Sequence, residues 1–320
     1  MSQSPEPQST INSTALLDRL RTAIGSVVLG NTATIDRVIC CLLARGHLLL
    51  EDVPGVGKTL LATALARSID CSFTRIQLTP DLMPTDILGV LVLNRSTNAF
   101  EFKPGPIFAN VVLADEINRT PPRTQAALLE AMSEGRVSID GHTSPLPKPF
   151  MVVATQNPTE FEGTYDLPEN QLDRFLMRLS LGYPSAAAEA EILDRRPSGE
   201  PLAQLRAAIT GADVIALQAS VDAVAMPKAI RDYIIMIANA TRVHPDVAHG
   251  LSPRGSLALA QAARATAFLA GRTAVLPGDV LANAQATITH RLVLKNRINA
   301  DASRAGGIVD ACIESVASPT

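Results

Sequence analysis

The chain has 320 residues, 47% hydrophobic and 18% charged, so it can bury a sizeable core in one large domain or two smaller ones. A net charge of −3 provides no global basic field for nucleic acid, and 3% aromatic residues with no tryptophan disfavour a surface built on base stacking. Four cysteines without a C-x-x-C pair are typical of reduced thiols in a cytoplasmic protein.

The first part of the chain predicts a tail followed by two helices. Residues 1–13 are rich in Ser, Gln and Pro, which indicates a disordered tail rather than a signal peptide. Apolar residues at a spacing of three to four then predict helices over 13–24 and 32–44. No apolar run approaches the roughly 18 residues that a membrane span needs, so we expect no span and a cytoplasmic location.

The segment LLLEDVPGVGKT, Leu48–Thr59, predicts a buried strand, a glycine turn and, from Leu60, a helix. This arrangement is typical of a phosphate-binding loop, where glycines let main-chain N–H groups approach phosphates at a helix N-terminus. Lys58 is expected to reach the β- and γ-phosphates, and the Thr59 hydroxyl to bind Mg²⁺. The residues predicted to contact the nucleotide are Pro54, Gly55, Val56, Gly57, Lys58, Thr59 and Leu60.

Asp52 departs from the strict pattern G-x-x-x-x-G-K-[ST], which has glycine at this position. Aspartate tolerates unusual backbone angles in turns, so we expect the loop to keep its form.

An acidic pair ends the next predicted element of the core. After a strand at 73–78 and a hairpin over 90–102, the run NVVLADE at 110–116 predicts a buried strand. Asp115 is placed to hold the Mg²⁺ shell through water, and Glu116 to orient or deprotonate the attacking water. Two solvated acids at a strand end are the alternative interpretation.

Two further candidates follow a predicted helix over 122–135 and a second hairpin that starts at Arg136. A strand over 150–155 leads to Asn157, whose amide is placed to touch the γ-phosphate or the lytic water, or else simply forms an Asn-Pro turn. Arg174 lies in a helical pattern, and 178–183 predicts the last strand of the core.

The composition changes after residue 184. We predict a tail at 1–13, a nucleotide-binding core at 14–184, a linker at 185–201 and a helical domain at 202–320. Helices are expected at 214–224, 228–240, 253–270 and 279–295. Arg254 heads one of them after Ser252 and Pro253, where a cation opposes the helix dipole. It is therefore predicted to face a phosphate, the alternative being an exposed arginine.

These residues together resemble the MoxR family of AAA+ ATPases. The segments that carry the resemblance are EDVPGVGKT, LADEINRTPPRTQAALLEAM, ATQNP, GTYDLPENQLDRF and SPRG, in the expected order. The resemblance implies a P-loop α/β core, a parallel sheet with helices on both faces, followed by a smaller all-helical lid.

The resemblance also implies roles for single residues. Lys58 and Thr59 correspond to Walker A, Asp115 and Glu116 to Walker B, Asn157 to sensor 1 and Arg254 to sensor 2, while Arg174 resembles the arginine finger that acts on a neighbouring subunit. The hairpins at 90–102 and 136–149 resemble the helix-2 and pre-sensor-1 inserts, and the segment Thr289–Leu292 also resembles the family.

The family is one of Mg²⁺-dependent ATPases that form hexameric rings. Its members are chaperones that remodel, mature or activate partner proteins, often with a partner that carries a von Willebrand factor A domain. We therefore expect ATP and Mg²⁺ as cofactors and a protein client.

Three other classes of function stay open at this point. An AAA+ nucleic-acid motor related to replicative helicases should carry basic residues in its hairpins. Here the basic residues are few and each hairpin also has an acid: Arg95 and Lys103 with Glu101, and Arg136, His142 and Lys148 with Asp140. A small-molecule kinase would need neither an arginine from a neighbour nor a helical domain. A nucleotide-gated binding module without turnover is disfavoured by the presence of both Glu116 and Asn157.

Overall fold

The computed structural model describes residues 13–157, 163–194, 201–296 and 302–319, so nearly all of the predicted tail lies outside the described residues. The helices are α1 Ser13–Gly25, α2 Thr32–Leu43, α3 Lys58–Arg67, α4 Pro84–Leu88, α5 Pro122–Glu134, α6 Glu169–Leu172, α7 Ala186–Asp194, α8 Pro201–Gln204, α9 Gly211–Asp222, α10 Lys228–Val243, α11 Pro253–Leu269, α12 Pro277–Ile288 and α13 Ala302–Glu314. The strands are β1 Leu48–Glu51, β2 Ile69–Asp70, β3 Phe73–Gln77, β4 Gly89–Asn94, β5 Ala99–Pro104, β6 Val111–Asp115, β7 Arg136–Ile139, β8 His142–Pro145, β9 Met151–Gln156, β10 Met177–Leu179, β11 Ile209–Thr210, β12 Val247–His249 and β13 Val293–Leu294.

Five strands form one sheet in the order β10-β1-β9-β6-β3, and all of its neighbouring pairs are parallel. The runs that build β1, β6 and β9 are buried almost throughout, as expected of strands that are covered by helices on both faces. The predicted parallel α/β core is thereby confirmed. Because the strands run in one direction, all of their carboxyl ends lie at one edge of the sheet and all of their amino ends at the other.

Two antiparallel hairpins, β4–β5 and β7–β8, project beside this sheet where the sequence predicts them. Near the base of the first, Phe102 makes edge contacts with Phe108 and lies near His142 of the second hairpin. Towards its tip, Leu93 pairs with Phe100, and Phe100 is 70% exposed. The first hairpin thus has a packed base and an apolar tip in contact with solvent.

Helices α10–α13 enclose a core of their own, in which Tyr233, Ile237, Val280 and Val309 are buried. The helical character predicted for the second region is confirmed. Helix α9 instead packs on α2, and Gln218 donates to the main-chain carbonyl of Leu42 (2.8 Å). The predicted domain boundaries stay a prediction. No helix in the described ranges is both long and apolar enough to cross a bilayer.

Several element ends differ from the sequence prediction. Helix α6 ends at Leu172, so Arg174 lies in the turn after it rather than inside a helix, and the last strand is only Met177–Leu179. The helix predicted to reach residue 295 ends at Ile288, because Val293 and Leu294 pair instead with β12. Helix α13 is absent from the predicted helices, because the adjacent Gly306 and Gly307 weaken its helical pattern.

Candidate functional site

The loop between β1 and α3 has the geometry of a phosphate cradle. Gly55 and Gly57 have φ of 85° and 94°, a region that favours glycine, and α3 begins directly after Gly57. The first main-chain N–H groups of a helix have no partner within it and are suited to an anion. A cavity of about 570 Å³ adjoins the loop, within the size range of small-ligand sites. It is lined by Val27, Val28, Leu29, Asn31, Gly55, Val56, Gly57, Leu60, Leu181, Gly182, Pro184, Ile192 and Leu193.

Asp52 holds the cradle to the segment that follows β10. Its Oδ2 accepts hydrogen bonds from the Ser180 hydroxyl and the main-chain N–H groups of Leu181 and Gly182, all within 2.8 Å. Burial acts to raise the pKa of Asp52, but these hydrogen bonds and one from Val53 outweigh it and lower the pKa. Asp52 has no left-handed φ, so the expected backbone role is wrong. Aspartate is suited here as a hydrogen-bond acceptor.

Lys58, the first residue of α3, lies across the cradle. Its ammonium donates to the main-chain carbonyls of Asp52 and, over 3.0 Å, of Gln156. It thereby links the ends of β1 and β9, at the carboxyl edge of the sheet. Thr59 follows it, and within the described residues its hydroxyl makes no hydrogen bond to the protein. Of the predicted contact residues, Gly55, Val56, Gly57 and Leu60 line the cavity, whereas Pro54, Lys58 and Thr59 lie in the loop and helix head beside it.

Asp115 ends β6 and is only 7% exposed. Its Oδ1 accepts from the Thr155 hydroxyl (2.5 Å), and its Oδ2 accepts from Nη2 and Nε of Arg75 (2.7 and 3.2 Å). A carboxylate offers about four acceptor positions, so one that accepts three hydrogen bonds keeps capacity for a metal-bound water. The Asp115 carboxylate is thus held in a fixed orientation by strands on both sides of β6.

Glu116 has φ of 59°, a left-handed conformation that a non-glycine residue adopts at a cost of roughly 1–3 kcal/mol. Its main-chain N–H donates to the Thr155 hydroxyl (2.9 Å). The carboxylate accepts from Gln77 (3.0 Å) and pairs with Arg119 (3.1 Å), and its side chain is about one-third exposed. Glu116 is therefore a positioned carboxylate that water can reach.

Asn157 directly follows β9 and is buried. Its main-chain carbonyl accepts from the Asn118 side chain (3.3 Å). Because β6 and β9 are neighbours in parallel register, Asn157 lies at the same edge of the sheet as Asp115, Glu116 and Lys58. The fold thus brings together four of the predicted site residues, along with the glycine loop.

Arg174 and Arg254 lie elsewhere, in a second cavity of about 330 Å³ that Ser133, Asp173 and Arg291 also line. Nη1 of Arg174 donates to the Leu129 carbonyl (2.8 Å) and the Ser133 hydroxyl (2.9 Å). Arg254 is exposed at the head of α11 and, among the described residues, makes no hydrogen bond or ion pair. The two predicted phosphate-facing arginines therefore share one site.

This second cavity is at the amino edge of the sheet, because Gly46, His47 and Leu176 in its wall immediately precede β1 and β10. The glycine loop follows β1 at the opposite edge. The four residues of β1 alone separate the two edges by roughly 13 Å, at about 3.3 Å per residue. Within one chain, the two arginines and the cradle are thus on opposite sides of the core.

Sequence reasoning missed three residues that shape the acidic end of β6. Arg75 and Gln77 alternate along β3, and Thr155 lies on β9. The strand order is what indicates these residues, because β3 and β9 flank β6 in the sheet and Gln77 is paired with Asp115. The sequence of a single strand does not give its register with neighbouring strands, so it does not predict these contacts.

The residues present fit a nucleotide with a divalent cation. The cradle combines left-handed glycines and a helix N-terminus with a lysine, which suits phosphates, and the adjoining cavity is large enough for a nucleoside. Oxygen donors such as the Thr59 hydroxyl and the Asp115 carboxylate are the ligands that Mg²⁺ prefers, directly or through water.

Comparison with known proteins agrees with this geometry. The model of the AAA family, the ATPases associated with various cellular activities, matches residues 47–177, and the model of the AAA lid domain matches 239–311. The fold and the cradle therefore define an AAA ATPase core with a helical lid. The chain is 48% identical over 304 residues to YeaC of Bacillus subtilis, covering 95% of both chains. It is 41% identical over 312 residues to the chaperone MoxR1 of Mycobacterium tuberculosis, covering 95% of this chain and 82% of that one.

A crystal structure from Cytophaga hutchinsonii is similar over the whole fold, with a TM-score of 0.87, 36% identity and 96% of each chain covered. The chain belongs to the MoxR family of AAA+ ATPases, as the resemblance of its motifs predicts.

Proposed function

We propose that the protein is a Mg²⁺-dependent ATPase that assembles into a homo-oligomeric ring, a hexamer as the family resemblance implies, and remodels, matures or activates partner proteins. The similarity to a chaperone of the same family supports the action on proteins. The four free cysteines are in keeping with a cytoplasmic location, which we include in the proposal.

The separation of the two sites within one chain is the observation that carries this proposal. The cradle lies at the carboxyl edge of the sheet, and Arg174 and Arg254 lie at the amino edge. A phosphate in the cradle is therefore out of reach of both arginines of its own chain. We infer that each chain supplies its arginine pair to the cradle of a neighbour, so that a complete site needs two subunits.

The residues of one chain then have distinct tasks in that site. Lys58 and the loop N–H groups bind the phosphates, while Thr59 and Asp115 are suited to the Mg²⁺ shell. Bound Mg²⁺ would neutralise charge on the β- and γ-phosphates. Glu116 accepts the proton of the attacking water, and Asn157 orients that water or the γ-phosphate. Arg174 of the neighbouring chain stabilises charge in the transition state, with Arg254 beside it.

The tip of the first hairpin is our candidate for contact with the client. Leu93 and Phe100 pair across it, and Phe100 is 70% exposed. An exposed apolar pair is suited to an unfolded or partly opened protein segment. We also expect a partner with a von Willebrand factor A domain, on the family resemblance alone.

A nucleic-acid motor is less well supported by the same hairpins. Arg136 is paired with Glu134 (2.9 Å), and Glu101 lies two residues from Lys103 on β5. Basic side chains offset by acids provide little attraction for a phosphate backbone. Salt-dependent binding of single-stranded DNA would favour the motor instead.

Mixing two inactive variants tests the shared site. Arg174→Ala retains its cradle, and Lys58→Ala retains its arginines. Each alone should lose most of its ATP hydrolysis, since arginine fingers contribute about 10³ to 10⁵ in rate. Their mixture should regain activity measured as phosphate release, and chelation of Mg²⁺ should abolish it. A mixture as inactive as its components would show that the arginines do not act between subunits.

A further inference from the structure

Asp173 joins three parts of the chain at the second cavity. It directly follows α6 and precedes Arg174. Its Oδ1 accepts from Nε of Arg291 (2.8 Å), in the turn after α12, and its Oδ2 accepts from the hydroxyl of Ser252 (3.2 Å), at the head of α11. One carboxylate therefore connects the turn after α12 and the helix of Arg254 to the segment that carries Arg174.

Arg291 is a fixed anchor for this carboxylate. Its side chain is only 3% exposed, and it also donates to the main-chain carbonyls of Thr287, Phe175 and, over 3.1 Å, Leu176. A buried guanidinium is costly to leave unpaired, so these bonds favour one fixed position of the Arg291 side chain. The lid thus holds the main chain on both sides of Arg174.

Ser252 extends the connection to Arg254. It is the N-cap of α11, where its hydroxyl oxygen accepts from the N–H of Gly255 (3.0 Å) while its O–H donates to Asp173. Arg254 is the second residue of the helix. Gly255 allows the close approach, since a Cβ there would lie 2.3 Å from Leu251 and 3.0 Å from the Arg291 side chain.

The side chains of Arg174 and Arg254 make few contacts of their own among the described residues. Arg174 has two contacts through Nη1, its Nε is buried without a partner among the described residues, and Arg254 is exposed. Both arginines line one cavity with Arg291, which brings three positively charged residues to the same site. Asp173 lines the same cavity, and its negatively charged carboxylate accepts one hydrogen bond from Arg291 and one from Ser252.

We propose that Asp173 is a positioning residue that fixes Arg174 and Arg254 relative to each other, so that both reach a neighbour's nucleotide as one unit. This inference rests on the proposed function, in which the two arginines act between subunits. A misplacement of about 1 Å in such a group can cost about 10² in rate. Loss of Asp173 should therefore reduce turnover while its own chain's cradle stays intact.

The test compares two substitutions of Asp173 with a matched control. Asp173→Ala removes both links, and Asp173→Asn keeps an oxygen for Arg291 but offers Ser252 an amide that cannot accept its O–H. Asp222→Ala is the control, because Asp222 holds Arg45 (2.5 Å) and Gln261 (2.8 Å) in the wall of the same cavity. We expect kcat to fall about 100-fold for Asp173→Ala, less for Asp173→Asn, and to stay unchanged for the control.

Two readouts separate positioning from folding. Binding of a fluorescent ATP analogue should match the wild type, and Asp173→Ala mixed with Lys58→Ala should regain activity, with the Arg174→Ala mixture as reference. Wild-type turnover of Asp173→Ala, or no recovery where the Arg174→Ala mixture recovers, would overturn the inference. No recovery of the reference would instead refute the shared site, and the inference with it. If Asp173→Ala does not fold, the same criteria apply to Asp173→Asn.

Discussion

The hydroxyl of Thr155 donates to Oδ1 of Asp115 over 2.5 Å and accepts the main-chain N–H of Glu116 over 2.9 Å. Thr155 is buried on β9, the strand next to β6. A single hydroxyl thus orients the carboxylate assigned to the metal shell and holds the strained backbone of the residue assigned to water activation. The acidic pair depends on this neighbouring strand for its geometry.

Thr155→Val should therefore impair hydrolysis more than folding. Valine has nearly the same shape, but it leaves the partly buried Glu116 N–H unpaired, at a cost of about 1–3 kcal/mol. We expect a loss of about 10² in kcat, because both carboxylates can shift. Steady-state phosphate release measures it. Thr155→Ser keeps the hydroxyl and should retain most of the activity, and equal losses in both variants would contradict the role given to the hydrogen bonds.

Glu116→Gln should separate ATP binding from hydrolysis. The amide keeps the size of the side chain and leaves Lys58 and Asp115 unchanged, but it cannot accept the proton of the attacking water. The variant should bind ATP with wild-type affinity, hydrolyse it at least 10²-fold more slowly and accumulate in its ATP-bound assembly. Equilibrium binding and size-exclusion chromatography with ATP measure these properties. Loss of ATP binding would point instead to a structural role for Glu116.

Local pattern predicted the core because its strands are continuous apolar runs and its loop has glycines at positions with positive φ. The pattern also predicted the site residues Lys58, Asp115, Glu116 and Asn157, since parallel strands present their carboxyl ends at one edge. It did not predict the partners of these residues. Arg75 and Thr155 reach Asp115 through strand order, and Arg291 reaches Asp173 across 118 positions of sequence, which no local pattern records.

Asp52 gives a third prediction, at the position where the strict loop pattern has glycine. Asp52→Ala removes an acceptor from Ser180 and from the N–H groups of Val53, Leu181 and Gly182. These donors are partly accessible to water, so we expect a loss of only about 1–2 kcal/mol in unfolding free energy. The KM for ATP should rise several-fold, because the cradle loses its link to the segment after β10.

Asp246→Ala is the control for this loss, since Asp246 pairs with Arg304 (3.4 Å) in the helical second region, and neither residue lines the cavity beside the loop. It should leave the KM for ATP unchanged. A rise in KM of the same size in both variants would show that the effect is not specific to the loop.

His47 provides a prediction for the dependence of stability on pH. It is buried just before β1, its Nδ1 accepts from the N–H of Val152 (3.0 Å), and its Nε2 lies 3.1 Å from the Met132 carbonyl. Both contacts suit the neutral ring with its proton on Nε2. Burial lowers the pKa of His47 from its usual 6.5 to about 4, and the bond to Met132 only partly opposes this.

The folded protein therefore binds this proton less readily than the unfolded chain. The contribution of His47 to stability is fully present above pH 6.5 and is lost as the pH falls from 6.5 to about 4, and it amounts to roughly 3 kcal/mol for a shift of this size. His290 is also buried, which lowers its pKa, so it too reduces the stability of the fold as the pH falls. The contribution of His47 must therefore be isolated by comparing variants.

Denaturant unfolding at a series of pH values between 4 and 7 measures this contribution. His47→Asn keeps an oxygen acceptor for the Val152 N–H but does not titrate in this range. It should be less stable than the wild type at pH 7, because it leaves a small cavity. Between pH 7 and pH 4, its free energy of unfolding should fall by roughly 3 kcal/mol less than that of the wild type. His249→Asn, at an exposed histidine, is the matched control for the substitution itself. Parallel curves for His47→Asn and the wild type would show that His47 does not contribute to acid sensitivity.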